Sequence, residues 1–212
     1  MSKWLQTFFD VTARRPSGWL GKLMYRNPVG HYGFFRVAIH ELHLQPEDSF
    51  LEIGCGGGIL LDMALQSVGQ AGGIDHSPDM VKLARQKNVH ALSEGRVEIV
   101  LGDVERLPWE EDHFTCAAGV EMLYFIDDPL KAMGELHRVL KPGGRLVLVT
   151  GAQPESKLEN VIYAPWLVQL RFISDDDLTS MLKQAGFETV QVEKVARSEH
   201  TNFAHQLAYA VK

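Results

Sequence analysis

The chain has 212 residues, 45% of them apolar and 23% charged, with a formal net charge of −6 and two cysteines. That length supports one ordinary domain with a full core. The acidic balance excludes a non-specific grip on nucleic acid, and Cys55 and Cys116 form no C-x-x-C pair, so neither a disulfide framework nor a zinc site is expected.

Residues 1–44 read as largely helical, with PSGWLG and NPVG as breaks. No secretory signal is legible in MSKWLQTFFDVTARR, and no apolar run approaches the roughly 20 residues of a membrane span. A cytoplasmic location is the expectation. Trp4, Leu5, Phe8 and Phe9 share one helical face, with Lys3, Arg14 and Arg15 nearby. Packing over the core or a binding site is the first reading of that face, and peripheral membrane contact the second.

From residue 48 onward short apolar runs alternate with helical patterns. SFLEIG (49–54) predicts a strand, 58–68 an amphipathic helix, and AGGID (71–75) a second strand. SPDMVKLARQK predicts a helix with Ser77 as N-cap and Pro78 at its first position. RVEIVLGD and FTCAAGV are the third and fourth strands. DDPLKAMGELHRVL is a helix capped by Asp128; KPGG stops it, and RLVLVT is the fifth strand. Alternation of this kind implies an α/β doubly wound, mostly parallel sheet.

The end of the chain changes character. SDDDLTSMLKQAG opens with Ser174 and Asp177 at capping-box spacing. FETVQVEKV and NFAHQLAYAV are two strands joined by the short polar link ARSEHT, so they must run antiparallel. The expected fold is a Rossmann-like, seven-stranded sheet ending in an antiparallel hairpin. Two segments flank it: a helical cap over 1–44 ahead of a 45–212 domain, and an aromatic-rich insertion at 151–173 on the substrate side.

The glycine cluster in LEIGCGGGILL is the strongest signal. A phosphate loop requires G-x-x-x-x-G-K-[ST], and no such Lys-Ser/Thr pair follows. A dinucleotide fingerprint requires G-x-G-x-x-G/A, but its third position here is Ile59, and the small residue, Gly58, falls one place early. A third ligand class, S-adenosylmethionine (SAM), needs a close-approach turn and an acidic residue for the ribose. Glu52-x-Gly54-x-Gly56-x-Gly58 supplies the turn, Asp75 ends the second strand, and Asp103 with Val104 follows the third.

Through LEIGCGGG, GIDHSPDMV, GDVERLPWEEDHF and ELHRVLKPGGRLVLV the chain resembles the class I SAM-dependent methyltransferases. The branch it is most similar to includes the ubiquinone/menaquinone-biosynthesis enzymes. The resemblance implies that Glu52, Gly54, Cys55 and Gly56 belong to the cofactor turn, Asp75 to the ribose, and His76, Gly102, Asp103 and Val104 to the adenine. It places Gly119, Val120 and Glu121 at the methionine end, with Met122 and Tyr124 near the reacting methyl. Two departures stand out: Thr115, where relatives often carry Asp, and Val120, where a polar residue is common.

A small-molecule acceptor, apolar or aromatic, is the expectation, with in-line displacement. Methyl transfer needs orientation more than a catalytic side chain. A base serves only an acceptor that carries a proton, and His31, Tyr32, Tyr124 and Tyr163 are the candidates. Cys55 and Cys116 read as small apolar fillers. HELH (40–43) is not H-E-x-x-H, so no metal site is expected. The alternatives are a non-catalytic SAM-binding sensor or scaffold and a nicotinamide oxidoreductase.

Overall fold

The protein is described by a computed structural model covering residues 29–152, 171–195 and 205–212. A single sheet of seven strands forms its centre, in the order β3-β2-β1-β4-β5-β7-β6. The strands are β1 (Ser49–Ile53), β2 (Gln70–Asp75), β3 (Val97–Leu101), β4 (Phe114–Val120), β5 (Leu140–Gly151), β6 (Thr189–Val195) and β7 (His205–Val211). The first five pair in parallel. β7 slots between β5 and β6, antiparallel to both, so the expected hairpin is present with its second strand on the inside.

Both faces are covered. On one lie α1 (Tyr32–Leu42), α2 (Ile59–Ala64) and α3 (Pro78–Lys87); on the other, α5 (Pro129–Val139) and α6 (Asp175–Gln184). Strand residues buried from both sides explain why FTCAAGV and RLVLVT read as continuous apolar runs rather than alternating ones.

The caps act as the sequence implies. Ser77 Oγ accepts from Met80 N and Asp128 Oδ1 from Lys131 N, with Pro at the first position of each helix. Ser174 Oγ accepts from Asp177 N at 3.1 Å and donates to Asp177 Oδ2 at 2.7 Å, a side-chain variant of the capping box.

Three elements differ from expectation. The helix predicted over 58–68 is regular only to Ala64, then unwinds through turns ending at Val68. A short α4 (Val89–Ser93) follows α3 after a break at Asn88, too short for its periodicity to be legible. β5 starts at Leu140, so KPGG ends the helix from within a strand, with Gly143 at φ 75°. The 196–201 link, the Trp4-to-Phe9 face and most of the 151–173 insertion lie outside the described residues.

Candidate functional site

A cleft opens at the carboxyl ends of β1, β2 and β4, where ligands of open α/β sheets bind. Its volume is about 180 Å³, the order of the ~150 Å³ cavity that holds benzene, so it has room for a small ligand group.

Its floor is the glycine turn. Gly54, Gly56 and Gly58 sit at φ 64°, 47° and 75°, in the left-handed region that side chains resist. A Cβ on Gly54 would lie 2.8 Å from Met122 Cβ, and one on Gly58 would lie 2.9 Å from the Ala84 backbone. The glycines therefore serve both the turn and the close packing of α2 on α3. Asp75 binds the turn to the next helix: Oδ2 accepts from Gly56 N at 2.9 Å, Oδ1 from Ser77 N at 2.8 Å. Burial raises its pKa, against the opposing effect of these bonds.

Glu52 is buried beneath the turn, and its Oε2 accepts from Leu61 N in the first turn of α2 at 3.0 Å. Burial pushes its pKa well above the usual carboxylate range. This weighs against a dinucleotide. A dinucleotide pyrophosphate would need the N-terminus of the glycine-turn helix, and a carboxyl group already occupies it. The cleft is lined by six carboxyl groups, from Glu52, Asp75, Asp103, Glu105, Glu121 and Asp127. No lysine or arginine lines it among the described residues. Such an acceptor set suits hydroxyls, amines and a positive sulfur, and opposes phosphates.

The remaining expected residues divide clearly. Cys55, His76, Gly102, Asp103, Val104, Val120, Glu121 and Met122 line the cleft. Cys55 is a buried filler whose thiol pKa burial raises well above the ordinary value. Asp103 is exposed at the rim and also caps its own turn, accepting from Glu105 N at 3.0 Å. Gly119 does not line the cleft; a Cβ there would meet Ile53 Cγ1 at 2.9 Å and Leu148 Cδ2 at 3.1 Å, so it serves core packing.

Of the described base candidates, only His31 lines the cleft, and burial lowers its pKa from 6.5. Tyr32 is half-buried and packs edge-on against Phe35. Tyr124 is also outside the lining; its hydroxyl donates to Glu121 Oε1 at 2.7 Å and accepts from Gly151 N at 2.5 Å. Burial and Glu121 raise its pKa far above 10. Tyr163 lies outside the described residues. Sequence reasoning missed Phe35 and His205. His205 on β7 places Nε2 3.4 Å from Glu121 Oε1 and stacks on Phe34 at 4.1 Å. No local spacing could reveal it, because the fold alone brings β7 to the end of β4.

Residues 51–148 match the family model described as a methyltransferase domain. The ubiquinone biosynthesis O-methyltransferase of Xanthomonas euvesicatoria pv. vesicatoria (strain 85-10) is 31% identical over 185 residues, which cover 76% of this chain and 75% of that protein. The chain belongs to the class I SAM-dependent methyltransferases. The cofactor of this methyltransferase is SAM, which the acidic, glycine-floored cleft fits. An uncharacterized 37.1 kDa protein in transposon TN4556 of Streptomyces fradiae is 38% identical over 115 residues, 53% of this chain but only 32% of that protein's length. The methyltransferase also superposes on the [4+2]-cyclase SpnF with a TM-score of 0.73 at 21% identity, over 85% of this chain and 80% of the other. That likeness concerns the fold; reaction type resides in the site.

Proposed function

We propose that this methyltransferase acts on a small-molecule acceptor with an apolar or aromatic body, of the kind a quinone precursor presents. The carrying observation is the make-up of the cleft's lining, in which Phe35, Ile59, Met122, Phe125 and Ile126 lie alongside the polar side chains of His31 and Glu121. The relative named for ubiquinone biosynthesis supports the same class.

In this reading the Gly54–Gly56 turn takes the amino-acid end of the cofactor and Asp75 accepts from its ribose hydroxyls. His76, Gly102, Asp103 and Val104 surround the adenine, while Val120 and Glu121 border the reacting methyl. SAM, when bound, supplies a methyl carbon made electrophilic by positive sulfur. The chain contributes binding, alignment of the acceptor on the far side of that carbon, and exclusion of water. His31 and Phe35 reach the cleft from the end of the 1–44 segment, which supports a cap role for that segment.

Calorimetric titration with S-adenosylhomocysteine, with NADH as control, tests the cofactor. Transfer of labelled methyl from SAM to hydroxylated benzenes with alkyl tails then tests the acceptor. Micromolar binding of S-adenosylhomocysteine and label in the organic phase are expected. Binding of NADH alone would sink the reading, and label recovered solely on charged, water-soluble acceptors would sink its acceptor half.

A further inference from the structure

Glu121 is the most unusual residue at the transfer end of the cleft. It follows β4 directly, its N donates to Val149 O, and its φ of 56° puts a non-glycine side chain in the left-handed region. Strain of this kind persists where neighbours fix it, and the neighbours are visible. Oε1 accepts from Tyr124 Oη at 2.7 Å and lies 3.4 Å from His205 Nε2. Tyr124 is itself pinned by Gly151 N. Both side-chain contacts of Glu121 fall on Oε1, and Oε2 has no hydrogen bond among the described residues.

Among the described residues, no lysine or arginine shares the cleft lining with Glu121. Tyr124 stays a neutral donor, because burial and Glu121 itself hold its pKa far above 10. His31, the other titratable group nearby, loses its proton more readily than usual through burial. His205 is buried against Phe34.

We propose that Glu121 is a catalytic carboxylate at the transfer point, balancing positive charge there and receiving through Oε2 the proton of a neutral, proton-bearing acceptor. This rests on the methyltransferase reading and names the acceptor class: a hydroxyl, amine or acidic carbon that enters uncharged, not a phosphate or carboxylate. The step balances. The acceptor atom's electron pair forms the bond to the methyl carbon, the carbon–sulfur pair stays on sulfur, and the acceptor's proton passes to Glu121. Its position beside the acceptor, on the fixed scaffold of Tyr124 and His205, keeps the base oriented without a conformational search.

The test compares two ligands that differ in charge at the transfer point. S-adenosylhomocysteine is neutral at sulfur, while sinefungin carries an ammonium-bearing carbon there. The full chain should bind sinefungin at least tenfold more tightly at low ionic strength. Glu121→Gln should reduce that preference to threefold or less and leave S-adenosylhomocysteine affinity within about threefold. Tyr124→Phe, which keeps the carboxylate but frees it, should give an intermediate preference and guards against misfolding of the first variant. A preference unchanged by Glu121→Gln, or absent from the wild type, overturns the proposal while leaving the cofactor reading intact. Failure of S-adenosylhomocysteine to bind overturns both. In the same protein saturated with S-adenosylhomocysteine, 5 mM phenyl phosphate should not raise the melting temperature; a rise overturns the acceptor class.

Discussion

Asp75 and Gly56, 19 positions apart, are joined by a 2.9 Å hydrogen bond from the Gly56 N–H to Asp75 Oδ2. The carboxylate read from sequence as a ribose ligand is thus also a structural clamp. Its second oxygen holds Ser77 N at the start of α3.

This double duty decides which variant is informative. Asp75→Ala removes both backbone bonds and loosens the turn, so lost affinity there would not isolate ligand contact. Asp75→Asn retains one acceptor oxygen and nearly the same shape. S-adenosylhomocysteine affinity should fall about 10- to 100-fold in Asp75→Asn, the order expected when one or two charge-assisted hydrogen bonds are weakened. The melting temperature should fall more in Asp75→Ala than in Asp75→Asn. Calorimetry and a melting curve on the two proteins check both expectations.

Glu52 predicts a pH signature. Burial raises its pKa in the folded chain, and Asp75 shifts the same way. Above the ordinary carboxylate range the unfolded chain has released protons that the fold retains. The unfolded state therefore binds fewer protons, and stability falls as pH rises through the window between the ordinary and the raised value. The ligand-free protein should melt at a higher temperature at the acid end of that window, and Glu52→Gln should flatten the trend. The amide oxygen introduced by that substitution can still accept from Leu61 N, so the variant's melting temperature at pH 7 should equal or exceed the wild-type value. A steeper pH dependence in the variant would contradict this account.

The fold was legible because its elements are punctuated locally. Ser77-Pro78, Asp128-Pro129 and Ser174 mark helix starts whatever the tertiary structure, and the buried strands stand out as apolar runs. The glycine turn and Asp75 were legible for the same reason, since both lie within one β-α-β unit. Gly119 is the least telling of the glycines, because a glycine at a strand end serves close packing as readily as ligand approach, and here Ile53 and Leu148 pack against it. The Glu121–Tyr124–His205 cluster was illegible as a unit. His205 is 84 positions from Glu121, and its role depends on β7 entering the sheet beside β5, which no local pattern states.

Gly58 carries a stability prediction. It caps α2 at φ 75°, and an added Cβ would meet Ala84 Cα at 2.9 Å and Asn88 Nδ2 at 2.6 Å. Asn88 cannot simply swing away, because its Nδ2 donates to both Gly58 O and Ala84 O. Gly58→Ala should therefore destabilise the fold by roughly 1–3 kcal/mol from backbone strain, before any cost of the clash. A urea midpoint shifted down at unchanged slope is the expected readout.

The departure at Thr115 has a physical cause that can be tested. Thr115 Oγ1 donates to Asp48 Oδ1 at 2.6 Å and accepts from Ser49 N at 3.0 Å. Asp48 in turn pairs through Oδ2 with Arg145 Nη2 at 2.6 Å, and Arg145 Nε donates to Leu42 O. The cluster ties α1's end, β1, β4 and β5 together at the edge opposite the cleft. An aspartate at 115 would set a second carboxylate against the first, with one guanidinium to serve both. Thr115→Asp should lower stability at pH 7, read as a drop in melting temperature. Arg145→Met leaves Asp48 buried and unpaired. Its cost should be about 3 kcal/mol, the low end for breaking a buried pair, since 26% of the Arg145 side chain is exposed. The double variant Asp48→Asn with Arg145→Met should recover part of that loss, because no charge remains stranded. Recovery of nothing would mean that the packing of Arg145 under α1, not charge compensation, holds this edge together.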